Sequence, residues 1–124
     1  MFHDIVYNPK ADKGLNEKES ADKFLKFVEE NGISADVSEF VNQAILDTVT
    51  HVPTSPNELI HSCLDCDLSI LASSKDQYDA YKEAIRFEYQ HIEIEDYKKG
   101  RSKVLQVFVE RPRLFYTDEI EKTY

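Results

Sequence analysis

Apolar residues recur along much of this chain at spacings of three and four, the pattern of one buried face on an α-helix. Stripes of this kind begin near Phe24, Phe40, Leu59, Tyr78 and Tyr97. They predict helices over about 16–31, 38–51, 56–71, 75–90 and 95–110. Residues 1–6 should form the last turns of another helix, and one more should begin near 117. A strand at 114–116 has no convincing partner, so the expected fold class is all-α.

Start and stop signals support these boundaries. Asn16 with Glu19 three residues later is close to a capping box and predicts a helix start. Gly32, after an asparagine, predicts the end of that helix. Pro53 should end the next helix, and Ser55 followed by proline and an acidic residue predicts the start of another.

Length and composition predict one folded domain over residues 1–124. A chain of 124 residues is near the common size of a single domain and can bury a core without disulfides or structural metals. Hydrophobic residues make up 41% and charged residues 31%, as in ordinary folded proteins. Only three glycines and four prolines are present, which favours helices over a sandwich of many turns.

The charge balance excludes some partners. A net charge of −9 argues against binding a nucleic-acid polymer or an anionic membrane, since both require many Lys and Arg residues. Apolar runs are too short to span a bilayer and no signal peptide is evident, so the predicted location is cytoplasmic. Cys63 and Cys66 have the spacing of half a zinc ribbon but lack a second pair. We expect two small, buried, reduced residues.

Adjacent His3 and Asp4 are the first candidate for chemistry. Consecutive helical residues point about 100° apart, so the two side chains can converge on an ion at the helix flank. Imidazole nitrogen with carboxylate oxygen suits Mn²⁺, Fe²⁺, Mg²⁺ or Zn²⁺. Taken alone, the pair is better explained as a frayed terminus with two polar side chains.

Two acids in the apolar run LDCDLSIL are the second candidate. Carboxylates are costly to bury unless they are paired or bound to a metal. Asp67 shares a stripe with Leu64 and Leu71 and should point inward, whereas Asp65 should point away and support the site or cap a helix. The alternative is an acid at a helix kink, hydrogen-bonded to the backbone.

Seven ordered segments resemble the HD superfamily of metal-dependent phosphohydrolases, most closely its branch of short predicted HD phosphohydrolases. They cover nearly the whole chain: FHDIVYNPK from position 2, NEKESA at 16–21, TVTH at 48–51, DCDLSIL at 65–71, YKEAIRFEY at 81–89, GRSKVL at 100–105 and ERPRLFYT at 110–117.

The resemblance implies an HD-domain-like bundle of about five to six helices, with His3, Asp4 and Asp67 as ligands of one divalent ion. It also implies hydrolysis of a phosphomonoester or a nucleotide, a small phosphorylated substrate. The family's first ligand is a histidine on an earlier helix, which this sequence does not contain. We therefore expect a bundle truncated at its N-terminus, with an incomplete ligand set.

Further roles follow from the same resemblance. Glu17, with Glu19 as second choice, is a candidate general base or supporting acid; a plain capping or exposed acid is the alternative. Asp65 is a further candidate for orienting the attacking water. His51 is a candidate to contact phosphate, protonate the leaving group or bind a second ion; the alternative is a histidine stabilised by a helix C-terminus.

Two arginines are candidates for substrate binding. Arg86 and Arg101 have guanidinium groups that can bind phosphate with two hydrogen bonds. For Arg86, a surface salt-bridge network with nearby acids is the competing interpretation.

A rival function is a non-catalytic helical domain that binds a nucleotide or a protein partner. Without the N-terminal helices, Phe2, Ile5 and Val6 would be exposed, and exposed apolar patches usually bind a partner. This interpretation predicts a homodimer formed through that surface.

Overall fold

The computed structural model describes residues 2–123, which form six α-helices, two 3₁₀ segments and no strand. The α-helices are α1 (Leu15–Asn31), α2 (Ala35–Asp47), α3 (Glu58–Leu68), α4 (Lys75–Glu88), α5 (Ile94–Val109) and α6 (Asp118–Thr123). The 3₁₀ segments are Phe2–Asp4 and Ser69–Ala72. The all-α prediction is confirmed. Of the helix expected over 1–6, only the 3₁₀ turn is present; Met1 lies outside the described residues.

Contacts divide the chain into two compact units, one up to Asp67 and the other from Leu68. The single HD-type domain expected from the sequence stays a prediction. None of the helices in residues 2–123 has the length and apolar character needed to cross a membrane.

The core of the first unit lies between α1 and α2. Ala21, Phe24 and Ile45 are buried together, and Phe2 packs against them from the N-terminal turn. The Phe2 ring lies 5.2 Å from the ring of Phe24 and 5.3 Å from that of Phe27, measured between centroids. These separations fall in the favourable range for aromatic pairs. Packing of Phe2 therefore fixes the turn that carries His3.

The segment after this turn is held by two polar side chains of α1. Buried Ser20 accepts a hydrogen bond from the Val6 amide through Oγ at 3.1 Å. The Asn16 side chain accepts from the Asn8 amide and donates to the Asn8 carbonyl, both at 2.9 Å. The predicted cap at Asn16 is therefore wrong. Gly14, with φ of 83°, precedes the helix, and Asn16 binds the incoming chain instead.

The ends of α2 and α3 also differ from the prediction. Helix α2 ends at Asp47, so His51 lies in a turn beyond the helix and not in its last turn. Helix α3 begins at Glu58, where the Asn57 side chain accepts from the Leu59 amide at 2.9 Å. Proline and the polar residues before Asn57 form the connecting loop, so the start predicted at Ser55 is too early.

The helices of the second unit follow their sequence signals closely. Ser74 forms a complete capping box with Gln77 at the start of α4. Helix α5 begins one residue before its predicted start. Phe115, in the loop between α5 and α6, is buried, and its amide donates to Glu121 Oε2 at 2.8 Å. The Phe115 amide is thus satisfied by a side chain, and no strand forms at 114–116.

Candidate functional site

Three residues predicted as metal ligands meet in the first unit. His3 Nε2 lies 3.2 Å from Asp4 Oδ1 and 3.0 Å from Asp67 Oδ1. His3 and Asp4 come from the N-terminal turn, whereas Asp67 is near the end of α3. Asp4 is the exposed member, with 57% of its side chain accessible, while 19% of His3 and 23% of Asp67 are accessible. The folded unit thus brings distant parts of the sequence to one surface cluster.

His51 is the fourth member of this cluster. Its Nε2 atom lies 2.6 Å from Asp67 Oδ2, so the two carboxylate oxygens of Asp67 each contact a different imidazole. The backbone at His51 has a φ of 53°, in the left-handed region that few residues other than glycine adopt and in which asparagine, aspartate and histidine are enriched. This uncommon backbone conformation lies directly at the site.

A buried carboxylate at the end of α2 holds the turn that carries His51. Asp47 Oδ2 accepts a hydrogen bond from the Thr54 amide at 3.0 Å, and Oδ1 accepts from Thr54 Oγ1 at 3.0 Å. Gln43 Nε2 donates to Asp47 Oδ1 at 2.9 Å and to Thr54 Oγ1 at 2.7 Å. The Asp47 carbonyl accepts from the His51 amide at 2.9 Å. Asp47 therefore closes both ends of a short loop.

Asp67 is kept ionised by its neighbours. Burial alone would raise the pKa of its carboxyl group, but the hydrogen bond from His51 and the charge of His3 outweigh burial. The pKa of Asp67 consequently lies below its ordinary value. The cluster therefore presents a carboxylate anion near neutral pH.

The other acids with predicted roles lie elsewhere in the first unit. Asp65 has no accessible surface, whereas 23% of the Asp67 side chain is accessible. The prediction that Asp67 points inward and Asp65 points away is therefore wrong for Asp65. Glu17 is half-buried in the first turn of α1. Glu19 is exposed on the same helix.

Both arginines predicted to bind phosphate make contacts within the second unit. Arg86 Nη1 donates to the Tyr89 carbonyl at 2.9 Å and to the Ile92 carbonyl at 3.2 Å, which caps the end of α4. Arg101 Nη2 donates to Tyr81 Oη at 3.1 Å. The competing interpretation placed Arg86 in a salt-bridge network with nearby acids, but its guanidinium group binds backbone carbonyls instead.

The two cysteines differ in their surroundings. Neither forms a disulfide; Cys63 is half-buried and Cys66 is exposed, so the expectation of two buried residues is wrong for Cys66. Burial and the nearby Cys66 raise the pKa of the Cys63 thiol. A thiol with a raised pKa reacts slowly, which argues against a nucleophilic role for Cys63.

Imidazole nitrogens and carboxylate oxygens are suitable ligands for a divalent ion, but in this structure the side chains of the cluster contact one another directly. In residues 2–123, no group of three or more His, Cys, Asp or Glu side chains is already arranged as a metal site. His3 Nδ1, however, is buried and has no hydrogen-bond partner in this part of the chain. A buried polar atom without a protein partner often marks a bound water or ion.

Sequence reasoning missed the residues that position the cluster. Asp47 looks like an ordinary helical acid, and Ser20 like an ordinary small residue. The available signal was position: Ser20 lies within the segment NEKESA, and Asp47 directly precedes the segment TVTH.

In comparisons with protein-family models, curated proteins and solved structures, no match to this chain was found.

Proposed function

We propose that this chain is a metal-dependent phosphohydrolase that uses His3, Asp4 and Asp67 to bind one divalent ion. The observation that supports the proposal is the meeting of these three side chains, with consecutive contacts of 3.2 and 3.0 Å. The resemblance to HD phosphohydrolases named the same three residues from the sequence.

The chemistry of the cluster suits this role. Imidazole and carboxylate donors bind Mn²⁺, Fe²⁺ and Zn²⁺ well, and Mg²⁺ is bound through carboxylates and retained waters. The lowered pKa of Asp67 means that this ligand needs no deprotonation near neutral pH.

An ion held there would activate water and polarise a phosphoryl oxygen of a phosphomonoester or nucleotide. Among the candidate acids, Glu17 is the better choice to orient the attacking water, because Asp65 has no accessible surface. Asp65 is better suited to hold its own helix in place. His51, which is partly accessible, is proposed to neutralise developing charge or protonate the leaving group.

The test is a thermal melt in EDTA and then with Mn²⁺, Mg²⁺ or Zn²⁺, on the natural chain and on Asp67→Ala. An ion at ~100 times its dissociation constant adds about 2.7 kcal/mol to the free energy of unfolding. For a chain of this size, that raises the melting temperature by several degrees. Asp36→Ala, which removes an exposed acid of α2, is the matched control. A metal-induced rise that is equal in the natural chain and in Asp67→Ala would contradict the site.

Activity is then measured with p-nitrophenyl phosphate and with nucleoside monophosphates, using the ion that gives the largest rise. Turnover should require the ion and disappear in Asp67→Ala. Metal binding without turnover of any phosphate ester would support the rival function, a binding domain. Exposure of Ile5, at 50%, favours that rival in part, although Phe2 packs into the core and Val6 is half-buried. Homodimerisation stays a prediction, and light scattering after size exclusion tests it.

A further inference from the structure

The resemblance offered His51 as a contact to the substrate or to a second ion, and not as a ligand of the ion held by His3, Asp4 and Asp67. We propose that His51, instead of acting on the substrate, is a fourth protein ligand of that ion, and that the buried Asp47 carboxylate positions it. The inference rests on the metal site proposed above and goes beyond it, because it supplies a second imidazole in a ligand set that otherwise contains one.

The separations within the cluster support this inference. Two ligand atoms each about 2.1 Å from an ion and at right angles to each other lie about 3 Å apart. The contacts of Asp67 with His3 and His51 measure 3.0 and 2.6 Å, and that of His3 with Asp4 measures 3.2 Å. An ion would therefore replace the present hydrogen bonds while the donor atoms kept similar separations. His51 and His3 contact different oxygens of Asp67, so one ion would meet both imidazoles if the carboxylate bound it through both oxygens.

A second imidazole also changes the expected preference for metals. With His51 the set holds two imidazoles and two carboxylates. Imidazole nitrogen suits Fe²⁺, Zn²⁺ and related transition metals, whereas Mg²⁺ prefers oxygen ligands. The inference therefore predicts that Mn²⁺, Co²⁺ and Zn²⁺ bind more tightly than Mg²⁺. Loss of His51 should reduce this difference.

Asp47 gives the loop its shape. Its side chain accepts hydrogen bonds from Thr54 and Gln43, and its carbonyl accepts from the His51 amide. Replacing Asp47 with Asn leaves one acceptor oxygen and places an NH₂ group against these donors. The loop would then no longer be fixed in the conformation that directs His51 to Asp67. Asp47 therefore acts on the proposed site through His51, whose amide donates to the Asp47 carbonyl.

The first experiment measures binding of Mn²⁺ by calorimetry and of Co²⁺ by visible absorption. His51→Gly removes the imidazole without backbone strain, because glycine readily adopts a positive φ. It should weaken Mn²⁺ binding at least tenfold and alter the Co²⁺ ligand-field bands, since even supporting residues of metal sites commonly contribute 10–100-fold. His91→Gln, which removes an exposed histidine of the second unit, should change neither quantity.

An unchanged Mn²⁺ affinity and Co²⁺ spectrum in His51→Gly would overturn the inference, and would leave the three-ligand site intact. Failure of the natural chain to bind any of these ions would overturn both the inference and the proposed function. If His51 acts only on the substrate, turnover falls in His51→Gly while metal affinity does not, and that result also refutes the inference.

The role of Asp47 is tested with a double-mutant cycle. Asp47→Asn alone should weaken Mn²⁺ binding about tenfold. In the His51→Gly background, the same change should have no further effect, because the residue through which it acts is gone. An equal loss in both backgrounds would show that Asp47 contributes only general stability, and would overturn its positioning role. Circular dichroism in EDTA verifies that each variant is folded.

Discussion

The packing of Phe2 allows a quantitative prediction about the N-terminal turn. Its ring contacts Phe24 and Phe27, and the residue is half-buried. Replacing a fully buried Phe with Ala costs 3–5 kcal/mol, so half-burial leads us to expect about 2 kcal/mol for Phe2→Ala. Two aromatic pairs at about 0.5–1.5 kcal/mol each give a similar total.

The assay is urea unfolding followed by circular dichroism at 222 nm, with ΔG from linear extrapolation. Phe2→Leu keeps part of the apolar contact and should lose about 1 kcal/mol. Phe87→Ala is the matched control, because this phenylalanine is 69% exposed and its removal should cost less than about 0.5 kcal/mol. If Phe2→Ala also loses less than about 0.5 kcal/mol, Phe2 is not an anchor in solution.

The same variant tests the site, because His3 follows Phe2 directly. Release of the turn at a cost of about 2 kcal/mol would raise the Mn²⁺ dissociation constant by up to roughly 30-fold.

Two further predictions follow from the shifted pKa values. Iodoacetamide near pH 8 should modify exposed Cys66 before Cys63, whose raised pKa lowers its thiolate fraction. Both cysteines lie on one tryptic peptide, so fragmentation of that peptide by tandem mass spectrometry measures the order, and faster modification of Cys63 would contradict it. The pKa of Asp67 is lower in the folded chain than its ordinary value of 3.8, so its contribution to stability is complete above that value and is lost as the pH falls through the folded pKa. The stability difference between the natural chain and Asp67→Asn, from urea unfolding at several pH values, should therefore shrink under acidic conditions, and a difference that grows towards low pH would refute this sign.

The helices were predictable because their signals are local. In α4, a serine N-cap and a periodic apolar stripe agree, and the predicted start at Lys75 is confirmed. The start of α1 was also close, at Leu15, although the reason given was wrong. Asn16 had the composition of a cap, but its side chain binds a loop eight residues away, which a local rule does not detect.

The residues named from the resemblance lie together, while their role as metal ligands stays a prediction; the position of His51 was missed because loop geometry decides it. His3, Asp4 and Asp67 were named from the sequence, and the structure brings them together. His51 was assigned to a helix end because the apolar stripe seemed to continue to it. In the structure, the Asp47 carboxylate binds Thr54, and the chain leaves the helix before His51. Such tertiary hydrogen bonds leave no periodic trace in a sequence.

The distance along the chain between His3 and Asp67 has a consequence for cooperativity. Their contact closes a loop of 64 residues, from 67 − 3, which is almost the entire first unit. Closing so long a loop has a substantial entropic cost, so the contact cannot persist while the intervening helices are unfolded. A partner that bridges the two residues would act as a reversible cross-link, comparable in kind to a disulfide. Slowed hydrogen exchange would then extend through α1 and α2, far beyond the residues that the partner touches.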